Sequence, residues 1–410
     1  MQEQGDVLSP SKGDVLSSSK GGVLSSSKEY DVIIIGAGSV GAPTAWQLAE
    51  AGLRTLVIDR LASVGQASNK TAIGGIRATH SDPAKIRLCL ESIEIFSTWQ
   101  ERYGDDVGWH QGGYSYVAYR EREKKLLKNL LTTQKQYGLG IDWYDREALL
   151  DIIPALNPSG LIGGTFSPGD GSASPLMSAL AFERQAKSHG AIFNYRETVT
   201  EILHSANGHV HGVRTDKGSY HAGTVVNAAG PWAREVAALA GVEVPVQPDS
   251  HEAGITEPVA PFLRPMLVDI RPAQGSANYY FYQHHTGQIV FCITPSPSII
   301  GTDCRETSVF MPQVARRMLG IVPRLKNLKV RRTWRGLYPM TPDGAPIVGK
   351  VEGLAGYINA VGMCGQGYML GPGLAVYLRK LITNEMDAEA RQIFDQLSLY
   401  RDFGTEEALK

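Results

Sequence analysis

The chain has 410 residues, with 40 lysines and arginines against 41 aspartates and glutamates. That length allows two domains or one large interleaved one, and the even charge leaves no basic footprint for nucleic acid. No apolar run is long enough to cross a bilayer, and Cys89, Cys292, Cys304 and Cys364 lack the spacing of a metal site or a redox pair. These features fit a reducing, cytoplasmic setting without a structural metal, with Cys89, Cys292 and Cys304 expected as inert core thiols.

Residues 5–12, 13–20 and 21–28 are near-copies of one short unit: GDVLSPSK, GDVLSSSK, GGVLSSSK. Units so short and polar cannot bury enough surface to offset the entropy of ordering. Residues 1–28 therefore read as a disordered leader, without the apolar core of a secretion signal. Residues 31–59 then read DVIIIGAGSVGAPTAWQLAEAGLRTLVID. The β-branched run 32–35 ends at glycine, as a buried parallel strand does. Gly36, Gly38 and Gly41 give G-x-G-x-x-G, 42–51 is helix-forming with Pro43 in its first turn, and 53–58 is a second strand ending at Asp59. Gly36 permits a tight turn, Gly38 lets a pyrophosphate approach the backbone, and Gly41 lets helix pack closely on strand. The unpaired N–H groups at the helix start favour a diphosphate, and Asp59 stands where a carboxylate accepts from a ribose hydroxyl. Together these pieces read as a dinucleotide site, with the dinucleotide open.

A polar, glycine-bearing loop occupies 65–77, the kind of segment that often carries function. Residues 83–103 place Ile86, Leu90, Ile93, Phe96 and Trp99 at helical spacing. Residues 112–119 read as a strand. Residues 121–137 read as an amphipathic helix with Leu126, Leu127, Leu130 and Leu131 inward, and 175–189 as another helix. The stretches 209–215 and 219–226 pair as a hairpin about Lys217-Gly218 and lead into VVNAAGPWA, a second strand meeting a glycine at a helix start. Residues 267–294 read as antiparallel strands, with Tyr280 and Tyr282 on one face and Phe281 on the other; core packing is the first reading for these rings and a substrate wall the second. In 356–373, GYINAVGMCGQGYMLGPG, a strand, a glycine cluster and a helix continuing through 372–384 make a third such junction. Three junctions point to one long ligand held along its length, where a nicotinamide fold needs only the first.

From 31 to about 384, the pieces GAGSVG, ASNKTAIGGIR, SPGDGSASP, VVNAAGPWA, HEAGITEP, RTWRGLYPMTPDGAPIVG and GMCGQGYMLGPG resemble the FAD-dependent amino-acid oxidase and dehydrogenase family. Within it the likeness is to the β subunit of heteromeric sarcosine oxidases and L-proline dehydrogenases. The resemblance implies an α/β (α+β) fold. A Rossmann-like FAD-binding domain (29–110, 176–240, 331–410) would be interleaved with an antiparallel-sheet substrate domain (111–175, 241–330). It implies that Gly36, Gly38, Ser39 and Gly41 hold the FAD pyrophosphate and Asp59 the adenosine ribose. Arg60, Ser68, Lys70 and Thr71 would line the path to the flavin, and the Val199 backbone would meet adenine. Ala229, Gly230 and Trp232 would sit at the second junction. Gly365, Gln366, Gly367, Tyr368 and Met369 would place amides by the flavin pyrimidine, where a helix start favours the reduced ring.

FAD is expected to be non-covalent, because Gly336 lies in the RTWRGLYP region where some members attach it through a cysteine. Met369 replaces a carboxylate-binding lysine of monomeric members. No lysine occurs between Lys217 and Lys326, where those members draw an oxygen-activating one. Met369 matches the heteromeric subunits, and the missing lysine tilts the reading toward a dehydrogenase that passes electrons to a partner. The implied chemistry is hydride transfer to flavin N5 from the C–N carbon of a secondary, N-methyl or D-amino acid, giving an imine. A glycine or D-amino acid oxidase using oxygen is the alternative, and a non-catalytic FAD-binding subunit a third reading. Partners would be a small amino-acid substrate and an electron acceptor or other subunits of a hetero-oligomer. Arg77 is the first choice for the substrate carboxylate, against a surface arginine paired with an acid. His251 would orient substrate or tune the amine, against a satisfied core histidine. Tyr282 and Arg335 complete the catalytic candidates. Cys364, at a helix start, is either an activated thiol or a packing residue.

Overall fold

Val32, Ile33, Ile34 and Ile35 fall in the strand Glu29–Ile35 and alternate between two cores. Val32 and Ile34 face one apolar cluster, Ile33 and Ile35 another. A strand buried on both faces has no place for polar alternation, hence its continuous β-branched run. The computed structural model describes residues 29–404 and 406–409, so the expected leader 1–28 lies outside the described residues. In it this strand sits inside an eight-stranded sheet, in the order Ile347–Val351, Leu354–Val361, Ser219–Asn227, Glu29–Ile35, Thr55–Asp59, Ile192–Tyr195. All neighbours along that path run parallel except the first pair. Val210–Thr215 pairs antiparallel with Ser219–Asn227, as the hairpin reading expects, and Val199–His204 pairs with it in turn.

The second sheet also has eight strands: Val330–Met340, Gln247–Pro258, Gln288–Pro295, Ser276–Gln283, Met266–Asp269, Tyr114–Ala118, Gly163–Ser167 and Asp142–Asp145. It is antiparallel but for the pairing of Met266–Asp269 with Tyr114–Ala118. The two sheets interleave along the sequence. One change-over differs from expectation: Val330–Met340 pairs with Gln247–Pro258, so the chain returns to the first sheet after Met340 and not at 331. Tyr279 and Phe281 point into the second core, while Tyr280 and Tyr282 take the other face.

Gly41–Glu50, Pro83–Tyr103, Pro175–Ser188 and Gly367–Ile382 are helices that share one apolar cluster with the first sheet. Trp46 is central to it, with Trp99 edge-on at 4.9 Å and Phe182 stacked at 5.7 Å. The last of these helices starts at Gly367, within the glycine cluster, and keeps Pro372 inside it at the cost of one intrahelical bond. Its place requires glycine: a Cβ on Gly371 would lie 1.8 Å from the Ser39 carbonyl oxygen. Gly371→Ala is therefore expected to push this helix off the first glycine turn. Equilibrium urea unfolding should register a loss of about 3 kcal/mol or more, because neither backbone can yield as a side chain would. Of the four leucines expected inward on Glu121–Gln136, only Leu127 is fully buried; that helix lies against the edge of the second sheet, and the others are half-covered. Cys304 is exposed, against the core role expected for it, while Cys89 and Cys292 are buried. Among the described residues no helix is long and apolar enough to cross a membrane, and no group of side chains has the makings of a metal site.

Candidate active site

The three glycine junctions converge on one cavity of about 660 Å³, within the range of small-molecule sites. The first junction rests on the second. Gly36 has φ +108°, and a Cβ there would lie 2.4 Å from the Ala228 carbonyl oxygen. Gly38 and Gly230 face the other way. Both line the cavity, and a Cβ on either would meet no protein atom within 4 Å. At the third junction Gly365, φ +76°, lies so close to the Tyr338 ring that a Cβ would come within 2.2 Å. Two helices therefore begin at this cavity, at Gly41 and Gly367, each presenting first-turn N–H groups and the positive end of its dipole.

One end is built around Asp59. Its Oδ2 accepts from the Ala37 amide at 2.7 Å and its Oδ1 from the Leu61 amide at 2.8 Å, so the carboxylate is fixed at the strand end with lone pairs to spare. Arg60 stacks on Trp232 at 3.9 Å, forming a flat cationic wall beside it. Val199 and the buried Glu197 close this end, with Glu197 held by the Thr215 hydroxyl at 2.7 Å.

Side chains of the second sheet line the far end. Arg77 is 6% exposed, and its guanidinium donates to the carbonyls of Thr79 and Leu409 and contacts Nδ1 of His80. Burial and the nearby Arg77 and Lys85 charges push His80 well below its ordinary value, so it is neutral. The Tyr116 ring lies 5.6 Å from the guanidinium. On the strand Gln247–Pro258, the His251 ring packs tilted against Tyr338 with centroids 3.7 Å apart and approaches Asp249 through Nε2 at 3.4 Å. Its Nδ1 is buried without a partner. Burial pushes His251 below its ordinary value, although Asp249 pulls the other way. The phenols of Tyr280 and Tyr338 meet at 2.8 Å, and burial pushes both well above the ordinary tyrosine range.

Residues 31–381 match the family described as FAD dependent oxidoreductase. The chain belongs to this family. It is 27% identical over 365 residues to the mitochondrial dimethylglycine dehydrogenase of Rattus norvegicus, covering 85% of this chain and 42% of that one. It is 27% identical over 370 residues to the glycine oxidase of Geobacillus kaustophilus, covering 88% and 94%. The crystal structure of L-proline dehydrogenase from P. horikoshii superposes with a TM-score of 0.85 at 31% identity, covering 92% and 98%. The chain thus spans about two-fifths of the length of the dimethylglycine dehydrogenases it matches, and nearly all of the other two.

The cavity suits the FAD of this family on its own geometry. Gly38 and Gly230 leave a cradle that a Cβ would fill, two helix starts face it, and Gln366 has a buried Oε1 without a partner on its wall. Most residues that the resemblance assigned to an FAD site share this one surface: Gly36, Gly38, Ser39, Asp59, Arg60, Ser68, Thr71 and Val199, then Ala229, Gly230 and Trp232, then Gly365 to Met369. Three do not. Gly41 lies behind the turn, where a Cβ would come 1.8 Å from the Gly36 carbonyl oxygen. Lys70 is exposed beside Gln66, because the short helix Ser68–Thr71 turns positions 68 and 71 inward and 70 outward. Gly336 makes room for Thr71, whose Oγ1 a Cβ would approach to 2.4 Å.

Of the catalytic candidates, Arg77 and His251 line the cavity and the other two do not. Arg335 pairs with Glu252, on the face opposite His251 and Gly336, and donates to the Arg305 carbonyl. Tyr282 donates to the Ile73 carbonyl at 2.6 Å, bracing the loop from behind. Cys364 lies on the wall at φ +49°, but burial raises its thiol; the helix starts three residues later, too far to lower it. Sequence reasoning gave no role to Asp249, Glu197 or Tyr338. For two of them the signal lay in strand register, since Asp249 pairs with Tyr338 two positions from His251 and Gly336.

Proposed function

We propose that the protein oxidises the carbon–nitrogen bond of a small secondary, N-methyl or D-amino acid to an imine. The observation that carries this is Arg77. Its hydrogen-bond partners are two carbonyls and a neutral histidine; among the described residues no acid forms an ion pair with it, and Glu407 and Asp170 act on it only at longer range, so a buried guanidinium on the cavity wall keeps donors for an anion. A desolvated cation needs an anion, and a planar fork fits a carboxylate. Bound FAD supplies the two-electron acceptor that takes the hydride. Gly36, Gly38 and Gly230 would seat its diphosphate, and Asp59 its ribose. The packed His251 and Tyr338, with Tyr280, form a wall that keeps water from the reacting carbon and aims the substrate. Neutral His251, donating through Nε2 to Asp249, has Nδ1 left to accept the ammonium proton. Dimethylglycine, glycine and proline, named for the relatives, share a carboxylate one carbon from the amine, which supports this class of substrate.

No lysine lines the cavity among the described residues, which favours transfer of the electrons to another acceptor or a partner subunit over oxygen. FAD held without a covalent bond is expected to leave on acid precipitation; flavin that stays with the precipitated protein would overturn this. The deciding test is anaerobic mixing with sarcosine, L-proline, D-alanine and glycine. Loss of flavin colour with at least one is expected; a flavin that stays yellow with every member would end the proposal. Dye reduction outpacing oxygen uptake is expected in the same preparation.

A pH prediction follows from His251. Its ordinary value is 6.5 and burial lowers it, so the acid limb of the flavin-reduction rate is expected below pH 6.5. Asp249 raises it, so Asp249→Asn should move that limb to still lower pH. A limb that moves upward, followed by stopped-flow absorbance, would remove His251 as the proton acceptor.

A further inference from the structure

Behind Arg77 lies a polar cluster that the proposed chemistry does not use. Lys85 and Glu407, with side chains 0% and 1% exposed, form an ion pair at 3.0 Å. Glu407 Oε1 also accepts from the Ser81 amide at 2.8 Å, the Ser81 hydroxyl at 2.5 Å and the Leu409 amide at 3.0 Å. Lys85 Nζ donates further to the Gly344 carbonyl at 3.1 Å. Burial would raise Glu407, but the Lys85 charge holds it below the ordinary glutamate range, so the pair is ionised. Two buried charges persist only when they are paired with each other, and here Oε2 faces Lys85 while Oε1 takes the hydrogen bonds.

The pair fastens a short stretch of chain against the far end of the cavity. The Glu407 amide donates to the Asp343 carbonyl at 3.0 Å, and the Ala408 amide to the Ser81 hydroxyl at 2.9 Å. Leu409 is 1% exposed and packs in the cluster of Tyr114, Tyr116 and Leu127. Its carbonyl accepts from Arg77 Nη2 at 2.9 Å. The other two partners of Arg77 are Thr79 and His80, in its own loop. The Leu409 carbonyl is thus the one hydrogen bond, among those of the described residues, that ties the guanidinium to a distant part of the fold.

We infer that Glu407–Leu409 is a positioning element for the anion site: Leu409 orients the Arg77 fork on the cavity wall, and the Glu407–Lys85 pair holds Leu409 in place. The inference rests on reading Arg77 as the partner of the substrate carboxylate. Neither Glu407 nor Leu409 lines the cavity, so the effect reaches substrate only through Arg77.

The test uses the FAD-loaded enzyme and acetate, a carboxylate without an amine, titrated by the change in flavin absorbance. In a chain stopped after Gly404, acetate binding is expected to weaken about tenfold or more, the scale of one charge-assisted hydrogen bond. In Glu407→Gln it should weaken about threefold or more, as Leu409 loosens. The limiting rate of flavin reduction at saturating substrate should stay within roughly twofold in both, a split between KM and kcat that general destabilisation does not give. In an Arg77→Ala background neither change should weaken acetate further. If Arg77→Ala itself leaves acetate binding unchanged, the anion-site reading fails. If Arg77→Ala weakens acetate while the shortened chain binds it as the full chain does, the positioning role is overturned and the anion site stands. Glu407→Gln decides the same question should the shortened chain fail to fold.

Discussion

Arg77→Ala is expected to raise the substrate concentration for half-maximal flavin reduction about a hundredfold or more while FAD stays bound. The magnitude follows from two charge-assisted hydrogen bonds from the fork to a carboxylate, together worth about 3 kcal/mol, or about two orders of magnitude in affinity. Arg77→Lys should fall between, near tenfold, because it keeps the charge and loses the fork. The carbonyls of Thr79 and Leu409 lose a donor in the alanine variant, so its melting temperature should drop too, and the lysine variant controls for that. The residues that would seat the FAD diphosphate and ribose lie on the glycine junctions and at Asp59, and Arg77 is not among them, so flavin content should not change. Stopped-flow reduction across substrate concentration, with flavin-to-protein absorbance alongside, gives both numbers. An unchanged half-saturation in either variant would take Arg77 out of the site.

The second large effect is expected from the glycines of the first turn, which differ although they share one sequence pattern. Gly38→Ala should fold normally and lose FAD affinity by about tenfold or more, because its Cβ meets no protein atom and enters the space where a diphosphate approaches. Gly41→Ala should damage folding itself, since its Cβ would lie 1.8 Å from the Gly36 carbonyl oxygen. Circular dichroism melts and flavin retention on a desalting column separate the two: the first variant colourless with a normal melt, the second with a lowered melt. A Gly38→Ala protein as yellow as the parent would place the diphosphate elsewhere.

The glycine junctions were legible in the sequence because their physics is local. Tight turns, close approaches and helix starts are set by residues a few positions apart, so Gly36, Gly38, Gly230 and Gly365 announce themselves. Arg77 and His251 were legible only through resemblance, because nothing local marks a polar residue in a loop or on a strand as facing inward. Facing is where the reading failed. Lys70 sits one step from Thr71, and Arg335 one step from Gly336; helical and strand periodicity turn each away from its neighbour. Asp249 and Tyr338 depended on which residue pairs with which across strands some eighty positions apart, and no pattern within one strand records that. The hold of Leu409 on Arg77 spans 332 positions and lies beyond any spacing argument.

The chain alternates between its two sheets, from Glu29–Ile35 and Thr55–Asp59 to Tyr114–Ala118, back at Ile192–Tyr195, over again at Gln247–Pro258 and home at Ile347–Val351. Neither layer is a contiguous stretch of gene, so neither can be lifted out by recombination and exchanged as a cassette. Changes that reshape the substrate side therefore fall on strands interleaved in sequence with those that carry the glycine junctions.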